Sequence, residues 1–447
     1  MNIPRKSCLF CLISTIFALS CLFMVHTARS ESAVYDVRSF GAKGDGVTYD
    51  TSSIQAALDA CGKTGGVVRI PAGGTYLSKP LEIHAMTTLL IEHGAILQAS
   101  KIQSDFMKRP GDWLKVKEKG GFIPFISGHD IRDVSFTGGG VIDGSGEVWW
   151  GEAEKARRIK PGYTLPRPNL IVIERCKNLK FDNITLQNSP KFHLVPSNCE
   201  EVMISNVTIL APEHAANTDA IDPSNCRNVT ITRCRIDVGD DNVAIKAGGN
   251  VEGRDFASEN INVNDCTFLH GHGMSIGSET SGGVRNVRVS NCTFENTENG
   301  IRIKSQKGRG GIVENITYDG ITMKNVNPAI TLTCFYQNNS SGDGSRQIAP
   351  MTPTADDALK ASEDIPTYRH IRIKNLKATC SKEAGKILGL PESKISDLIL
   401  ENVDISAPNG VEIQNASGIE LKNVSVVAQQ GAPFILQNAQ VSGLPSK

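Results

Sequence analysis

Four short polar segments of the sequence carry residue types that can move protons or hold a charged ligand. In chain order they read NTDAID at 217–222, GDDN at 239–242, GHG at 271–273 and RIK at 302–304. Their ionisable side chains are four aspartates, an imidazole and two cations: Asp219, Asp222, Asp240, Asp241, His272, Arg302 and Lys304. Carboxylates held close together raise the pKa of at least one of them. Such a group suits general acid–base chemistry, which needs one protonated and one ionised partner.

A repeated strand pattern must position these segments. Alternating apolar residues followed by Asn or Cys recur from about residue 80 onward, clearly at 176–186, 199–209, 226–236, 259–268, 284–294 and 313–323, and more weakly at 370–378, 396–405 and 418–426. Two short strands per copy are too few for a propeller blade but suit one coil of a parallel β-helix. The pattern therefore predicts an all-β solenoid, with Asn side chains hydrogen-bonded from coil to coil at the turns.

The spacing of the polar segments matches this repeat, so they should stack on one face. Four neighbouring coils span only about 15 Å. In RIK the two cations point the same way, as an acidic ligand would require. An ordinary solvated strand would also explain RIK, and a turn histidine would explain His272. Mutual repulsion of three aspartates has no structural use, whereas hydrolysis of a glycosidic bond needs a protonated and an ionised carboxyl.

The residues before the solenoid predict a cap over its first coil. Ser52 and Gln55 have capping-box spacing, and apolar residues then follow on one helical face. We expect a short amphipathic helix over about 52–61 and strands at 67–70 and 75–77. Such a helix would cover the exposed end of the solenoid.

Composition excludes some functions. Lys plus Arg equal Asp plus Glu, so the formal net charge is zero and nothing global favours nucleic acid or membrane binding. The chain has 12 cysteines. Six of them fall in register with the repeat, which favours stacked buried packing residues over metal or redox chemistry. The nine cysteines that follow the first 30 residues include no CxxC pair, which argues against zinc. We therefore expect neither a metal nor a cofactor.

The first 30 residues have the layout of a secretory signal peptide. Arg5 and Lys6 precede a long apolar run, and small residues close the segment. A membrane anchor is the alternative, because the run approaches spanning length. We favour cleavage, which predicts a secreted protein with a signal peptide at 1–30 and a single β-helix catalytic domain at 31–447.

The polar segments also carry a family resemblance. NTDAID, GDDNVAIKA, GHGMSIGSET and GIRIKS, in this order, resemble the signature blocks of the polygalacturonases, glycoside hydrolase family 28. NSPKFHL at 188–194, VIDGSGEVWW at 141–150 and the N-terminal FGAKGDG resemble the same family, so the likeness covers nearly all of the mature chain. The amino-acid sequences of the second and third blocks are similar to those of bacterial endopolygalacturonases.

The resemblance implies a right-handed parallel β-helix of the pectin-lyase-like kind and inverting hydrolysis of α-1,4-galacturonan. Asp240 would be the general acid, Asp219 and Asp241 would hold and activate water, and His272 would set the protonation of the acid. The implied substrate-binding residues are Arg302, Lys304, Asn217, Asp222, Tyr336 and Lys246, with His193 as a weaker cleft candidate. The partner would be polygalacturonate and the protein a monomer. Ala220 replaces a family glycine and would turn its methyl group toward the cleft floor.

Several alternatives stay open. A pectate lyase would share the fold but use calcium bound by clustered carboxylates. A non-catalytic carbohydrate-binding solenoid would explain a cleft but not the crowded aspartates. Rhamnogalacturonan hydrolases share the aspartates. Endo or exo action depends on loops that wall the cleft, for which 103–122, 151–168 and 338–366 are candidates. A protonated acid beside two carboxylates predicts a mildly acidic optimum.

Overall fold

We describe the protein from a computed structural model, at residues 32–108, 121–160, 164–248, 257–336 and 365–444. The expected signal peptide and most of the candidate wall at 338–366 lie outside these residues. Within them, no helix is long and apolar enough to cross a membrane.

Parallel strands stack coil upon coil in three columns. Stack A contains Val34–Asp36, Gly66–Ile70, Thr87–Ile91, Arg132–Thr137, Lys177–Asp182, Glu200–Ser205, Arg227–Thr232, Ser258–Asn264 and Val284–Ser290. Stack B contains Asp45–Tyr49, Thr75–Ser78, Ile96–Ala99, Val141–Asp143, Thr185–Gln187, Thr208–Leu210, Arg235–Asp237, Thr267–Phe268 and Thr293–Glu295. Stack C contains Leu81–Glu82, Ile126–His129, Ile171–Glu174, Leu194–Ser197, Val243–Ile245, Met274–Gly277, Ile301–Lys304, Ile330–Thr333 and Glu383–Leu388. Longer strands complete the later coils, at Ile312–Val326, Thr367–Cys380, Ile395–Ala407, Asn409–Ala428 and Phe434–Ser442.

Register is set by apolar rows inside the coils. Leu179, Val202, Val229, Ile261 and Val287 are partners in successive coils of stack A, and all are buried. Each inward side chain thus packs on its equivalents above and below, which removes apolar surface from water along the whole solenoid. The parallel β-helix predicted from the repeat is confirmed.

Asparagine ladders hold the turns, also as predicted. Asn260 donates to the Asn228 side-chain oxygen at 3.1 Å, Asn286 donates to Asn260 at 3.2 Å, and Asn315 donates to Asn286 at 3.3 Å. All four residues have a positive φ, between 56° and 58°. Asparagine tolerates this left-handed conformation better than other non-glycine residues, which explains its recurrence at the turn.

Within the residues described above, two α-helices flank the coils. Helix α1, Thr51–Thr64, buries Ile54, Ala57, Leu58 and Cys61 and is longer than the predicted 52–61. Its first turn does not use the expected capping box, since Asp50 is the N-cap residue and its carboxylate accepts from the backbone of Lys43 and Gly44. The two strands expected after it are present. Helix α2, Glu147–Ile159, lies in a stretch that the sequence reading treated as a loop, and buries Trp149 and Ala153 one turn apart.

The cysteines pack as the repeat predicts. All nine cysteines of the described residues are free thiols, and only Cys380 is partly exposed. Backbone N–H groups of Cys176 and Cys199 lie 3.4 Å from the sulfur of the next cysteine along the ladder. Burial raises the pKa of the Cys176 thiol to about 12. The burial of the ladder is typical of packing residues.

Candidate active site

The four polar segments meet at one edge of stack C. Ile221, Val243, Met274 and Ile301 pair in register across four consecutive coils. Asp219, Asp240, Asp241 and His272 all occupy the turns that lead into these positions, and Arg302 with Lys304 lies on the fourth strand. The stacking predicted from spacing alone is therefore confirmed.

The glycines around His272 permit close stacking of these turns. Gly271 and Gly273 have φ angles of 106° and 75°. A Cβ on Gly273 would lie 2.0 Å from the Asn299 carbonyl oxygen, and one on Gly271 would lie 2.4 Å from that of Asp240. Only glycine fits there. The backbone of this turn can then hold the imidazole against the coil before it.

Asp240 is held from three sides. His272 Nδ1 lies 2.9 Å from Asp240 Oδ1, which also accepts from the Asp241 N–H at 2.9 Å. The Asn217 amide nitrogen lies 3.4 Å from Oδ2. Burial opposes ionisation of this carboxyl, but the His272 and Lys304 cations and these hydrogen bonds hold its pKa below the ordinary range.

His272 is clamped between two carboxylates. Its Nε2 lies 3.0 Å from Glu298 Oε2, opposite the contact with Asp240. Burial favours the neutral ring, yet the attraction of Asp240 and the hydrogen bond to Glu298 raise the pKa of His272 to about 10. Glu298 was not among the predicted site residues. No local signal could have identified it, since the register of Met274 with Ile301 makes Asn299, not Glu298, the equivalent of His272 one coil later.

Asp241 is the anionic partner of the two cations. Its Oδ2 lies 2.6 Å from Lys304 Nζ, and its Oδ1 accepts from Ser275 at 2.7 Å and from Arg302 at 3.3 Å. Burial disfavours its charge, but Lys304 and Arg302 keep its pKa lowered. The Tyr336 ring lies under both cations, at 5.2 Å from Lys304 Nζ and 5.6 Å from the guanidinium carbon of Arg302.

Asp219 and Asp222 share Lys246. The lysine Nζ lies 2.6 Å from Asp222 and 3.5 Å from Asp219, and also lies 4.3 Å from the centre of the Phe192 ring. One oxygen of each carboxylate is buried without a hydrogen-bond partner in the described structure. Burial and the neighbouring aspartates raise the pKa of Asp219 well above its usual value. Burial likewise raises the pKa of Asp222 to about 6, against the pull of Lys246.

Burial, with repulsion between aspartates, thus raises carboxyl pKa values in the cluster, but not at Asp240. The resemblance gave Asp240 the proton. Asp219 and Asp222 have the raised pKa values instead, because burial outweighs the attraction of Lys246, the cation that they share. The proton next to Asp240 resides on the imidazole of His272.

Two smaller expectations are wrong. His193 does not line the cleft: it is fully buried, and its ring nitrogens lie 3.2 Å and 3.3 Å from the carbonyl oxygens of Asp219 and Leu210. Burial lowers its pKa to about 4, so it is a neutral packing residue. Ala220 is also fully buried, so its methyl group does not face the cleft floor.

One group of side chains among the described residues could share a metal ion: Asp240, Asp241 and His272, whose ligand atoms lie within 4.8 Å of one another. Asp240 and His272 are already paired with each other, and Asp241 is paired with Lys304 and Arg302. Calcium prefers six to eight oxygen ligands. The arrangement fits an ion-pair network of protonatable groups better than a calcium site.

The role of Glu298 can be tested on the imidazole itself. We expect Glu298→Gln to lower the pKa of His272 by about one pH unit, because an opposite charge in contact with the ring is removed. An NMR titration of the imidazole resonances measures this. Glu295→Gln, in the same segment but in an exposed pair with Lys324, is the matched control and should leave the titration unchanged. An unchanged His272 titration in Glu298→Gln would contradict the clamp.

Comparison with known proteins agrees with this geometry. The sequence model of the family described as "Glycosyl hydrolases family 28" matches residues 66–428. An endo-polygalacturonase of Pectobacterium carotovorum subsp. carotovorum is 38% identical over 304 residues, covering 66% of this chain and 74% of that protein. The solved polygalacturonase of Erwinia carotovora ssp. carotovora aligns with a TM-score of 0.66 and 32% identity over 89% of this chain and 94% of that one.

A second solved structure shows how the fold extends to a different mode of action. The hyperthermoactive exopolygalacturonase of Thermotoga maritima aligns with a TM-score of 0.72 and 27% identity over 88% of this chain and 92% of that one. The family model covers the repeats, the acidic turns and the two cations alike. The chain is therefore a member of glycosyl hydrolases family 28.

Proposed function

We propose that the protein hydrolyses α-1,4-galacturonosyl linkages of polygalacturonate with inversion, and that it acts within the chain. The observation that carries this is the meeting of Asp219, Asp240 and Asp241 with Arg302 and Lys304 at one edge of stack C. Carboxylates that differ in proton affinity supply the acid and the base. A cationic side chain beside them suits a sugar that carries a carboxylate.

Asp240 is the proposed general acid, and His272 supplies its proton. His272 first passes its proton to the ionised Asp240 carboxylate across the 2.9 Å contact. As the glycosidic C–O bond breaks, Asp240 donates that proton to the leaving oxygen, and the imidazole is left neutral. This route explains how a carboxyl with a lowered pKa can serve as an acid. The proton is held on the hydrogen-bonded imidazole of His272, whose pKa is about 10.

Asp219 is the better placed base for the attacking water. The Asp241 carboxylate already contacts Ser275, Arg302 and Lys304, and its pKa is lowered. Asp219 has a buried oxygen without a partner and a raised proton affinity. When Asp219 is ionised it takes the proton from water as the C–O bond to the new hydroxyl forms. Asp241 orients that water as a fixed anion.

The proposed binding residues divide by exposure. Arg302 and Tyr336 are partly exposed and are the proposed contacts for a galacturonate carboxylate, while the Lys304 side chain is only 6% exposed and holds Asp241 in place. Asp222 is 1% exposed and Lys246 is committed to it, so both act by positioning Asp219. Asn217 contacts Asp240 directly.

We further propose a secreted monomer. Endo action is supported by the Pectobacterium relative, while the Thermotoga structure makes exo action the second candidate. Helix α2 forms one wall beside the cleft, since Trp150 donates to the Ser189 carbonyl oxygen at 3.1 Å and packs against His214.

Early products distinguish these functions. From polygalacturonate at a few per cent conversion we expect a ladder of saturated oligomers, because an open cleft binds anywhere along the chain. High-resolution anion-exchange chromatography measures the ladder, and absorbance of unsaturated products is followed in parallel. Monomer alone would replace endo by exo action. Unsaturated products that disappear with a chelator would mean a lyase, and binding without any product would mean a non-catalytic solenoid.

A further inference from the structure

One arginine outside the predicted site is tied to it by hydrogen bonds. Arg167 is 2% exposed and is the largest fully buried side chain of the described residues. Its Nη1 donates to the carbonyl oxygens of Pro190 at 2.8 Å and Ala216 at 2.9 Å, and its Nε donates to that of Leu165 at 3.2 Å. The guanidinium therefore joins the segments that precede stack C in three consecutive coils, at Ile171, Leu194 and Ile221.

The fourth contact of Arg167 leads to the proposed acid. Its Nη2 donates to the side-chain oxygen of Asn217 at 2.9 Å. A guanidinium has only donors, so the oxygen of the Asn217 amide must face it and the NH₂ group must face away. That NH₂ group lies 3.4 Å from Asp240 Oδ2. The orientation of the amide is thus fixed by the arginine and not by the aspartate alone.

The backbone of Asn217 depends on the same contact. Asn217 has a φ of 57°, in the left-handed region, and the Ala216 carbonyl just before it accepts from Arg167. One side chain therefore fixes both the turn and the amide that it presents. With His272 and the Asp241 N–H on Oδ1 and Asn217 on Oδ2, the Asp240 carboxyl has donors on both oxygens, and Asn217 is the one observed on Oδ2.

We propose that Arg167 is a positioning residue for Asp240, acting through the side-chain amide of Asn217. The inference rests on the proposed function, in which Asp240 gives its proton to the leaving oxygen. A carboxyl that rotates out of line with that oxygen loses rate without losing substrate affinity. Lysine cannot replace the arginine, because a single ammonium cannot reach these separate acceptors in the planar fork geometry.

Kinetics of four variants test the proposal: Arg167→Lys, Asn217→Ala, Asn217→Asp and the double variant Arg167→Lys/Asn217→Ala. We expect each single change to lower kcat about 10- to 100-fold, with KM within about twofold, because the carboxyl is misplaced and no substrate contact is lost. The double variant should be no slower than Asn217→Ala, since both changes break the same chain of contacts. Losses that multiply, or a kcat equal to the parent's in Arg167→Lys, would overturn the proposal.

A separate variant controls for a general loss of stability. Tyr76→Phe removes a buried hydroxyl that donates to the Pro71 carbonyl oxygen at 3.1 Å, in a coil far along the chain from the site. It should lower Tm and leave kcat unchanged. If Arg167→Lys does not fold, Asn217→Asp carries the test, because Arg167 can still pair with the new carboxylate while Asp240 loses its donor.

An NMR titration of His272 separates this proposal from the function. Asn217→Ala should move the imidazole pKa upward, because the Asp240 carboxylate loses a donor and attracts the proton of His272 more strongly. Arg167→Lys should give the same direction of shift. If the parent shows no hydrolysis but these shifts occur, the proposed function fails and the positioning stands. If hydrolysis occurs and no shift is seen in either variant, the positioning role is wrong.

Discussion

Replacing Asp240 by Asn should lower kcat on polygalacturonate by roughly 10³-fold, with a much smaller change in KM. The amide has almost the same shape as the carboxyl, so the turn and its neighbours can remain in place. It cannot pass a proton to the leaving oxygen. His272 also loses the carboxylate that most strongly raises its pKa. The variant therefore loses the group that delivers the proton. It also loses part of the electrostatic attraction that keeps His272 protonated.

A matched substitution away from the site gives the comparison. Asp130→Asn removes an exposed carboxylate that pairs with Arg175 at 2.5 Å, and should leave kcat unchanged. Binding of an oligogalacturonide to Asp240→Asn, measured by calorimetry, should persist. An Asp240→Asn preparation that retains its rate, freed of parent enzyme, would exclude Asp240 as the acid.

Replacing Lys246 by Met should lower the free energy of unfolding by about 3–5 kcal/mol at neutral pH. The lysine side chain is 18% exposed and its partner Asp222 is 1% exposed, so the change leaves buried carboxylates without their cation. The pKa values of Asp219 and Asp222, already raised, should rise further. Chemical denaturation at several pH values measures the loss.

The dependence on pH has a defined sign. A carboxyl whose pKa is higher in the folded state than in the unfolded state stabilises the fold at low pH, and this stabilisation is lost as pH rises through the folded pKa. The deficit of Lys246→Met should therefore be largest near neutral pH and shrink toward pH 5. Adding Asp222→Leu should restore part of the stability, since an apolar pair replaces an unpaired charge.

Lys180→Met provides the surface counterpart. Lys180 is half exposed and lies 3.9 Å from Asp182, so its loss should change the free energy of unfolding by less than about 1 kcal/mol. A deficit in Lys246→Met that is equally small, or that is the same at pH 5 and pH 7, would show that the lysine does not compensate the buried carboxylates.

The sequence determined the solenoid and the composition of its site. Inward Val, Ile and Leu recur at each coil, and each inward row can be buried only against its own copies in neighbouring coils. That requirement fixes the register, and the register brings Asp219, Asp240 and His272 together from distant positions in the chain. Asn at each left-handed turn and glycine at the positive φ angles on both sides of His272 follow from local backbone sterics, so they were readable from single residues.

Only the tertiary structure decided how charge is distributed within the site. The pKa of a carboxyl depends on its burial and on its distance to each neighbouring charge. A spacing of one coil in the sequence does not define the burial, and it leaves each distance uncertain by several ångströms. The spacing therefore predicted a raised pKa in the cluster but not that Asp219 would have it and Asp240 would not. Glu298 and Arg167 were missed for the same reason: each acts through a contact across coils, with His272 or Asn217, that nothing in its local sequence specifies. The repeat determined where the aspartates lie. Packing between coils determined which side chains contact them and so set their protonation.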